Sequence, residues 1–144
     1  MKLLFIVILS TLFFNVCQSQ CLLSFNQLDN SRNYSLSEFE NFALRNGFTY
    51  NSEKKSYLCD IEFAHGWNQQ LKRSNGDDNS IIVSYVFFQK KQYIDFKMTL
   101  ESQGKLIESN NDNNNLTFLY LYNNRLISLH TKTYNSQTFY LIIF

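Results

Sequence analysis

Two segments of the chain carry apolar residues at the three- and four-residue spacing of an amphipathic helix. The first follows a capping box formed by Ser35 and Glu38, and it ends at Gly47, a residue suited to the left-handed position after a helix. The second runs from Lys90 to Gln103 and is closed by Gly104 in the same way. The two apolar stripes are Leu36, Phe39, Phe42 and Ala43, and Tyr93, Phe96 and Leu100.

Apolar runs with alternating or β-branched residues predict strands in much of the remaining chain. The run from Ser80 to Phe88 lacks polar alternation, which indicates a central strand buried on both faces. Asn123 and Asn124 separate two apolar runs and predict a two-residue type I′ hairpin that pairs Tyr120 with Ile127. The predicted strands are 48–50, 57–63, 80–88, 106–107, 116–122, 125–132 and 138–144.

Two segments show no clear period. The lead-in from Gln20 to Asn33 contains scattered apolar residues and is predicted to form a short helix or a docking arm. The segment from His65 to Asn79 is polar and contains two glycines. It is predicted to be the longest loop, or in part a helix through Trp67 and Leu71.

These elements predict an α+β fold in which two helices pack on one face of an antiparallel sheet. Aligning Gly47 with Gly104 places Phe39 on Phe96, so the chain is either a tandem of helix-plus-hairpin units or a domain in which this match arises by chance. The apolar last strand, from Thr138 to Phe144, is predicted to offer an edge that adds to a partner's sheet.

Residues 1–19 have the pattern of a cleaved export signal. Lys2 precedes an apolar run from Leu3 to Val16, and Cys17 and Ser19 supply the small residues of a cleavage site. Cleavage leaves a single domain, 20–144, located in the periplasm, at the cell surface or outside the cell. The alternatives are a retained membrane anchor, for which the apolar run is shorter than the ~20 residues of a span, and a lipoprotein, for which the residues before the cysteines fit badly.

The net charge and the cysteines of the chain bear on which partners it binds and where it works. Lys2 leaves with the signal, and the 12 acidic residues balance the rest of the 13 basic residues. A neutral chain gives no electrostatic argument for binding nucleic acid or an anionic membrane. Cys21 and Cys59 remain after cleavage, and export favours a disulfide between them over two free thiols.

The chain lacks the spacings that mark catalytic and metal sites. It contains no G-x-S-x-G, C-x-x-C or H-x-x-x-H motif, so neither a metal nor a cofactor is predicted. His65 and Trp67 are the best candidates for a binding site, because loops carry function and Trp is favoured at binding hot spots. The alternative is that Trp67 covers the sheet edge as part of the core. His130, on the polar face of a strand, is predicted to be a solvated surface residue.

Tyrosines on the predicted strands form a second candidate surface. If several share an exposed face, they stack against a sugar or a protein partner, and Tyr120 and Tyr122 are the predicted binding residues. The alternative is that these rings pack under the helices. The tyrosines on predicted strands are Tyr50, Tyr57, Tyr85, Tyr120, Tyr122 and Tyr140.

Three stretches carry a resemblance to other proteins: SLSEFENFALRNGFTY, FAHGW and KKQYIDFKMTLESQGKLIES. With the alternating C-terminal strands, they resemble a group of small exported proteins of the flavobacterial (Bacteroidota) kind. That group shares a signal ending in Ser-Gln, a helix closing on Lys-Gly-Trp or Asn-Gly-Phe, and a Tyr-rich helix ending in Gly before an apolar strand. The resemblance implies a compact exported α+β domain and transfers no catalytic residue.

The sequence therefore predicts a non-enzymatic exported module that binds a protein or a surface glycan. One alternative is an envelope structural protein without a specific ligand. Another is a small secreted hydrolase that uses His65 with Asp60 or Glu62 on the preceding strand. A cleft containing both His65 and His130 would favour the hydrolase, and histidines on opposite faces of the sheet would exclude it.

Overall fold

The computed structural model describes residues 21–63 and 66–144, which form three short helices and one eight-stranded antiparallel sheet. The helices are α1 (Phe25–Ser31), α2 (Leu36–Arg45) and α3 (Lys90–Gln103). The strands are β1 (Phe48–Asn51), β2 (Ser56–Phe63), β3 (Trp67–Asn75), β4 (Ile81–Phe87), β5 (Lys105–Asp112), β6 (Asn115–Tyr122), β7 (Arg125–Tyr134) and β8 (Gln137–Ile143). Their order across the sheet is β1-β2-β3-β4-β8-β7-β6-β5.

The predicted fold class, an α+β domain with two helices and a possible tandem of helix-plus-hairpin units, is wrong. The fold is largely a β-sheet, because strand residues far outnumber helical residues and the lead-in supplies a third helix. Four consecutive strands follow α2 and four follow α3, so neither helix is paired with a single hairpin. The sequence predicts too few strands because polar strands lack a recognisable apolar pattern. Such strands are stabilised by pairing with the neighbouring strands of the sheet.

The start of α2 confirms the predicted capping box. The Ser35 hydroxyl accepts a hydrogen bond from the Glu38 backbone N–H at 3.3 Å, and the Glu38 carboxylate accepts one from the Ser35 N–H at 2.7 Å. These two bonds satisfy donors that the first turn of a helix leaves open. The Ser35 N–H and the Ser35 hydroxyl both donate to the Glu38 carboxylate and lower the pKa of this carboxyl. Helix α1 begins with the equivalent pair, Ser24 and Gln27.

The two glycines that close the long helices play different roles. Gly47, after α2, has a φ of 85°, the left-handed conformation predicted for it. Gly104, after α3, is extended, with a φ of −113° and a ψ of 175°, so the prediction that it repeats the role of Gly47 is wrong. Glycine is favoured there for space, because a Cβ would lie 2.8 Å from the carbonyl oxygen of Leu100.

Aromatic rings join the helices to one face of the sheet. Each helix contributes a buried phenylalanine to a single hydrophobic core, whose other side is formed by inward-facing strand residues. The ring pairs, with centroid separations, include Phe25–Phe144 (5.1 Å), Phe39–Tyr57 (5.7 Å) and Phe96–Phe87 (5.2 Å). The described helices therefore cover the same face, and alternate strand positions point to the opposite face.

The segment predicted to be the longest loop contains strand β3. This strand pairs with β2 on one side and β4 on the other. Its buried positions are Gln69 and Leu71, and its remaining residues are mostly polar. The prediction of a loop or helix at Trp67–Asn75 is wrong, because the cross-strand partners that stabilise this polar strand are distant in the sequence.

Strand β8 lies near the centre of the sheet rather than at an edge. It pairs with β4 and β7, so its backbone groups are occupied on both sides. The prediction that the segment 138–144 adds to a partner's sheet is therefore wrong. The two edges of the sheet are the short strand β1 and the exposed strand β5.

A disulfide ties the lead-in to the sheet. Cys21 and Cys59 are bonded, with their Cα atoms 5.9 Å apart, and both residues are buried. This confirms the predicted pairing. No helix among the described residues is long and apolar enough to cross a membrane. The predicted export signal lies outside the described residues.

Candidate functional site

An aromatic groove lies at one end of the sheet, away from the helices. Its lining residues are Trp67, Asn115, Lys132, Thr133, Tyr134 and Phe139, and its volume is about 410 Å³. We call this feature the aromatic groove. It combines three rings with two neutral polar side chains and one cation, a composition typical of ligand sites rather than of core packing.

Strand alternation places four of the six groove residues on the face opposite the helices. In β7, Ile127 and Leu129 are buried in the core, so Lys132 and Tyr134 belong to the other face. In β8, Phe139 precedes the buried Tyr140 and faces the same way as Lys132, its cross-strand partner. Asn115, at the start of β6, is paired with Lys132 from the other side.

Two local backbone features complete the groove. Asn135 and Ser136 form the turn between β7 and β8, with φ values of 47° and 63°, and this turn holds Tyr134 opposite Gln137. Gly66 has a φ of 71° immediately before Trp67, the first residue of β3. A left-handed residue at this point redirects the chain as it enters the strand.

The Trp67 ring is the centre of the aromatic contacts. It stacks with Tyr134 at a centroid separation of 6.1 Å and an interplanar angle of 20°. It also packs against Phe139 at 5.0 Å and Phe88 at 6.4 Å. Tyr134 is 60% exposed, whereas Trp67 is only partly exposed. The Tyr134 ring therefore faces solvent while it packs against the Trp67 ring.

The structure separates the residues that the sequence proposed as a site. Trp67 lines the aromatic groove, and His65 lies outside the described residues. Tyr120 and Tyr122 are only 1% and 7% exposed, because both rings face the helices. Their burial removes them from any stacking surface, which is the alternative that the sequence left open.

The partners of Trp67 are not apparent from the sequence. Tyr134 lies beyond the predicted strand 125–132, so it is not among the tyrosines of the predicted strands. Phe139 and Lys132 lie on predicted strands, but their facing direction depends on the register. The alternation of residues in β7 is the sequence pattern that indicates this site. Ile127 and Leu129 are apolar and face the core, so Lys132 and Tyr134 share the opposite face.

His130 does not have the surroundings of a catalytic base. Its Nδ1 lies 3.0 Å from the Thr117 hydroxyl and its Nε2 lies 2.9 Å from the Ser128 hydroxyl. Partial burial lowers the pKa of His130, and the positive charge of Lys132 lowers it further. Each ring nitrogen therefore faces a hydroxyl, not the carboxylate that would orient a general base.

A larger groove of about 600 Å³ separates the lead-in from α3. Two of the polar side chains that line it are engaged within the protein. Gln92 donates to the carbonyl oxygen of Leu23 at 2.5 Å, and Asp95 forms an ion pair with Lys91 at 2.7 Å. We interpret this groove as the seam where the lead-in packs on α3.

Neither metal chemistry nor comparison with other proteins adds to this site. Among residues 21–63 and 66–144, no three His, Cys, Asp or Glu side chains lie close enough together to hold a metal ion. Comparison of the chain with family models, with curated proteins and with solved structures finds no match. The resemblance to small exported flavobacterial proteins stays a prediction, and the chemistry of the aromatic groove is the guide to function.

Proposed function

We propose that this chain is an exported, non-enzymatic module that binds a glycan in the aromatic groove. The observation that carries the proposal is the stack of Trp67 on Tyr134, in which a solvent-facing ring rests on a second ring. The C–H groups of a sugar carry partial positive charge and pack favourably on the negative face of an aromatic ring. A supported, exposed ring is therefore a suitable platform for a pyranose.

The polar residues of the groove suit the hydroxyls of a sugar. The Asn115 side chain offers an amide donor and a carbonyl acceptor, and the Lys132 ammonium group offers further donors. Both side chains are exposed, so a ligand reaches them without displacing part of the core. The Thr133 hydroxyl lies 3.1 Å from the Thr138 hydroxyl instead. A volume of about 410 Å³ lies within the range of roughly 300–1,000 Å³ found for small-ligand sites.

The arrangement favours a glycan over a protein partner. Protein hot spots place an aromatic anchor in a pocket that surrounding contacts seal from water. Here the stack lies in an open groove and has an amide and an ammonium group beside it. Export is supported by the signal pattern and by the Cys21–Cys59 disulfide, which is stable in an oxidising compartment.

Titration calorimetry against a panel of soluble neutral and anionic oligosaccharides tests this proposal. We expect native protein to bind at least one member, and we expect Trp67→Ala and Tyr134→Ala each to weaken binding about tenfold or more. Tyr50→Ala is the matched control, because Tyr50 is 52% exposed on the distant edge strand β1.

Three results would overturn the proposal. One is the absence of binding to every oligosaccharide of the panel. Another is glycan binding that Trp67→Ala and Tyr134→Ala leave unchanged. The third is a purified protein ligand that binds through Trp67 while no glycan competes with it, which would assign the groove to protein recognition.

A further inference from the structure

We infer that the glycan bound in the aromatic groove is anionic, carrying carboxylate or sulfate groups, and that Lys132 binds the anionic group. The inference rests on the proposed function and adds the ligand's chemical class. It follows from where Lys132 lies, from the charges of the groove residues and from the absence of an ion-pair partner for its ammonium group among the described residues.

The position of Lys132 brings its side chain to the stacking platform. Lys132 and Tyr134 are two residues apart on β7 and share a face of the sheet. Phe139 is the cross-strand partner of Lys132 on β8, and Asn115 is its partner on β6. A sugar resting on the Trp67–Tyr134 stack is therefore flanked by the Lys132 side chain.

The charge of the groove is positive. Lys132 is charged, and the other lining residues, Trp67, Asn115, Thr133, Tyr134 and Phe139, are all neutral. A positive site without a carboxylate favours an anionic ligand over a neutral one by charge complementarity.

Lys132 has no ion-pair partner within the described part of the chain. The ion pairs there are Lys91–Asp95, Lys97–Glu101 and Arg125–Asp29. The acidic residue nearest in register is Asp112, which pairs with Asn115 and so lies two strands from Lys132, about 10 Å away along the sheet. The positive charge of Lys132 also helps to lower the pKa of the neighbouring His130, after the effect of burial.

An ammonium–carboxylate or ammonium–sulfate hydrogen bond is stronger than a neutral one. Because Lys132 is exposed, the contribution is screened by salt. The inference therefore predicts two signatures that stacking alone does not produce. These are a preference for the anionic form of one glycan backbone and a decrease of that preference with ionic strength.

The test compares oligogalacturonate with its methyl-esterified form, which has the same backbone without the charges. We expect native protein to bind the charged form about tenfold more tightly or better at low salt, as for one charge-assisted hydrogen bond. Lys132→Gln should remove this preference and leave the affinity for the ester unchanged, whereas Lys132→Arg should retain it. Lys54→Gln, in the exposed turn between β1 and β2, is the matched control and should behave as native.

Failure of the inference and failure of the proposed function are distinguishable. Equal affinity for the two forms, or a preference that persists in Lys132→Gln, would contradict the inference that the ligand is anionic. Binding that still depends on Trp67 would leave the proposal of a glycan-binding module intact. A sulfated oligosaccharide bound in place of the uronate, with the same dependence on Lys132, supports the inference. Absence of binding to charged, esterified and sulfated glycans alike overturns both. Circular dichroism of Lys132→Gln establishes that the fold is retained.

Discussion

The Tyr85 hydroxyl donates a hydrogen bond to the carbonyl oxygen of Cys21 at 2.6 Å, joining residues 64 positions apart in the chain. Tyr85 belongs to the central strand β4 and Cys21 to the lead-in, so the bond links the middle of the sheet to the segment above it. Gln69 provides a second acceptor at 3.1 Å. Burial raises the pKa of Tyr85 well above its usual range, and the phenol therefore remains a donor at any physiological pH.

Tyr85→Phe should reduce the free energy of unfolding by about 1–3 kcal/mol, because it leaves the buried Cys21 carbonyl without its donor. Urea denaturation followed by tryptophan fluorescence measures the change. Tyr140→Phe is the control, since Tyr140 is also buried but its hydroxyl has no hydrogen bond among the described residues. Equal losses in the two variants would show that the Tyr85–Cys21 bond does not contribute specifically.

Removing the Cys21–Cys59 disulfide should destabilise the protein by about 3–4 kcal/mol, since the bond closes a long loop in the unfolded chain. The sequence separation of the two cysteines is 38 residues. The double variant Cys21→Ala/Cys59→Ala tests this by thermal denaturation. The intact mass of the native protein without reductant should be two hydrogens lighter than after reduction, and an unchanged mass would contradict the bond.

The stability of the fold should decrease as the pH falls below the ordinary pKa of histidine, about 6.5. The pKa of His130 is lowered in the folded state, chiefly by burial, so the unfolded chain binds the proton first. The contribution is complete above pH 6.5 and is lost as the pH falls through the depressed pKa of the folded state. NMR titration of the His130 ring measures that pKa directly.

His130→Gln should flatten the stability profile below about pH 6.5, because glutamine retains polarity at that position without titrating. The remaining pH dependence then comes from the carboxylates and other groups. A His130 pKa at or above the ordinary value would contradict the prediction. So would an unchanged profile in the variant.

The turn between β6 and β7 should reject β-branched residues. Asn123 and Asn124 have φ values of 48° and 59°, in the left-handed region that valine avoids. Asn124→Val should cost about 1–2 kcal/mol, whereas Asn124→Gly should be neutral or stabilising. Asn111→Val, at an exposed position of β5 with ordinary backbone angles, is the control and should cost less. Equal costs at the two positions would contradict the turn geometry.

Elements with local signals were predictable from the sequence. Helix α3 spans Lys90–Gln103, the predicted bounds, because its apolar stripe lies within the segment itself. The β6–β7 hairpin is confirmed with its predicted register, in which Tyr120 pairs with Ile127. In both cases, the residues that determine the structure are neighbours in the chain, so a sequence pattern is sufficient to recognise them.

The elements that were mispredicted depend on distant partners. Strand β3 is polar and exists because β2 and β4 supply its hydrogen bonds, and the last strand is central because β4 pairs with it. The candidate site also depends on pairing between strands that are distant in the sequence. Strand pairing determines which face Tyr120 and Lys132 occupy, and it brings Trp67 against Tyr134.

The local elements of this protein follow from its sequence: the long helices, the tight turn between β6 and β7 and the cysteines available for a disulfide. The strand order, the burial of Tyr120 and Tyr122, and the assembly of the aromatic groove depend on how the chain folds in three dimensions. Helix caps and turns are stabilised by residues a few positions apart, whereas a sheet and its faces are stabilised by pairing between segments distant in the chain.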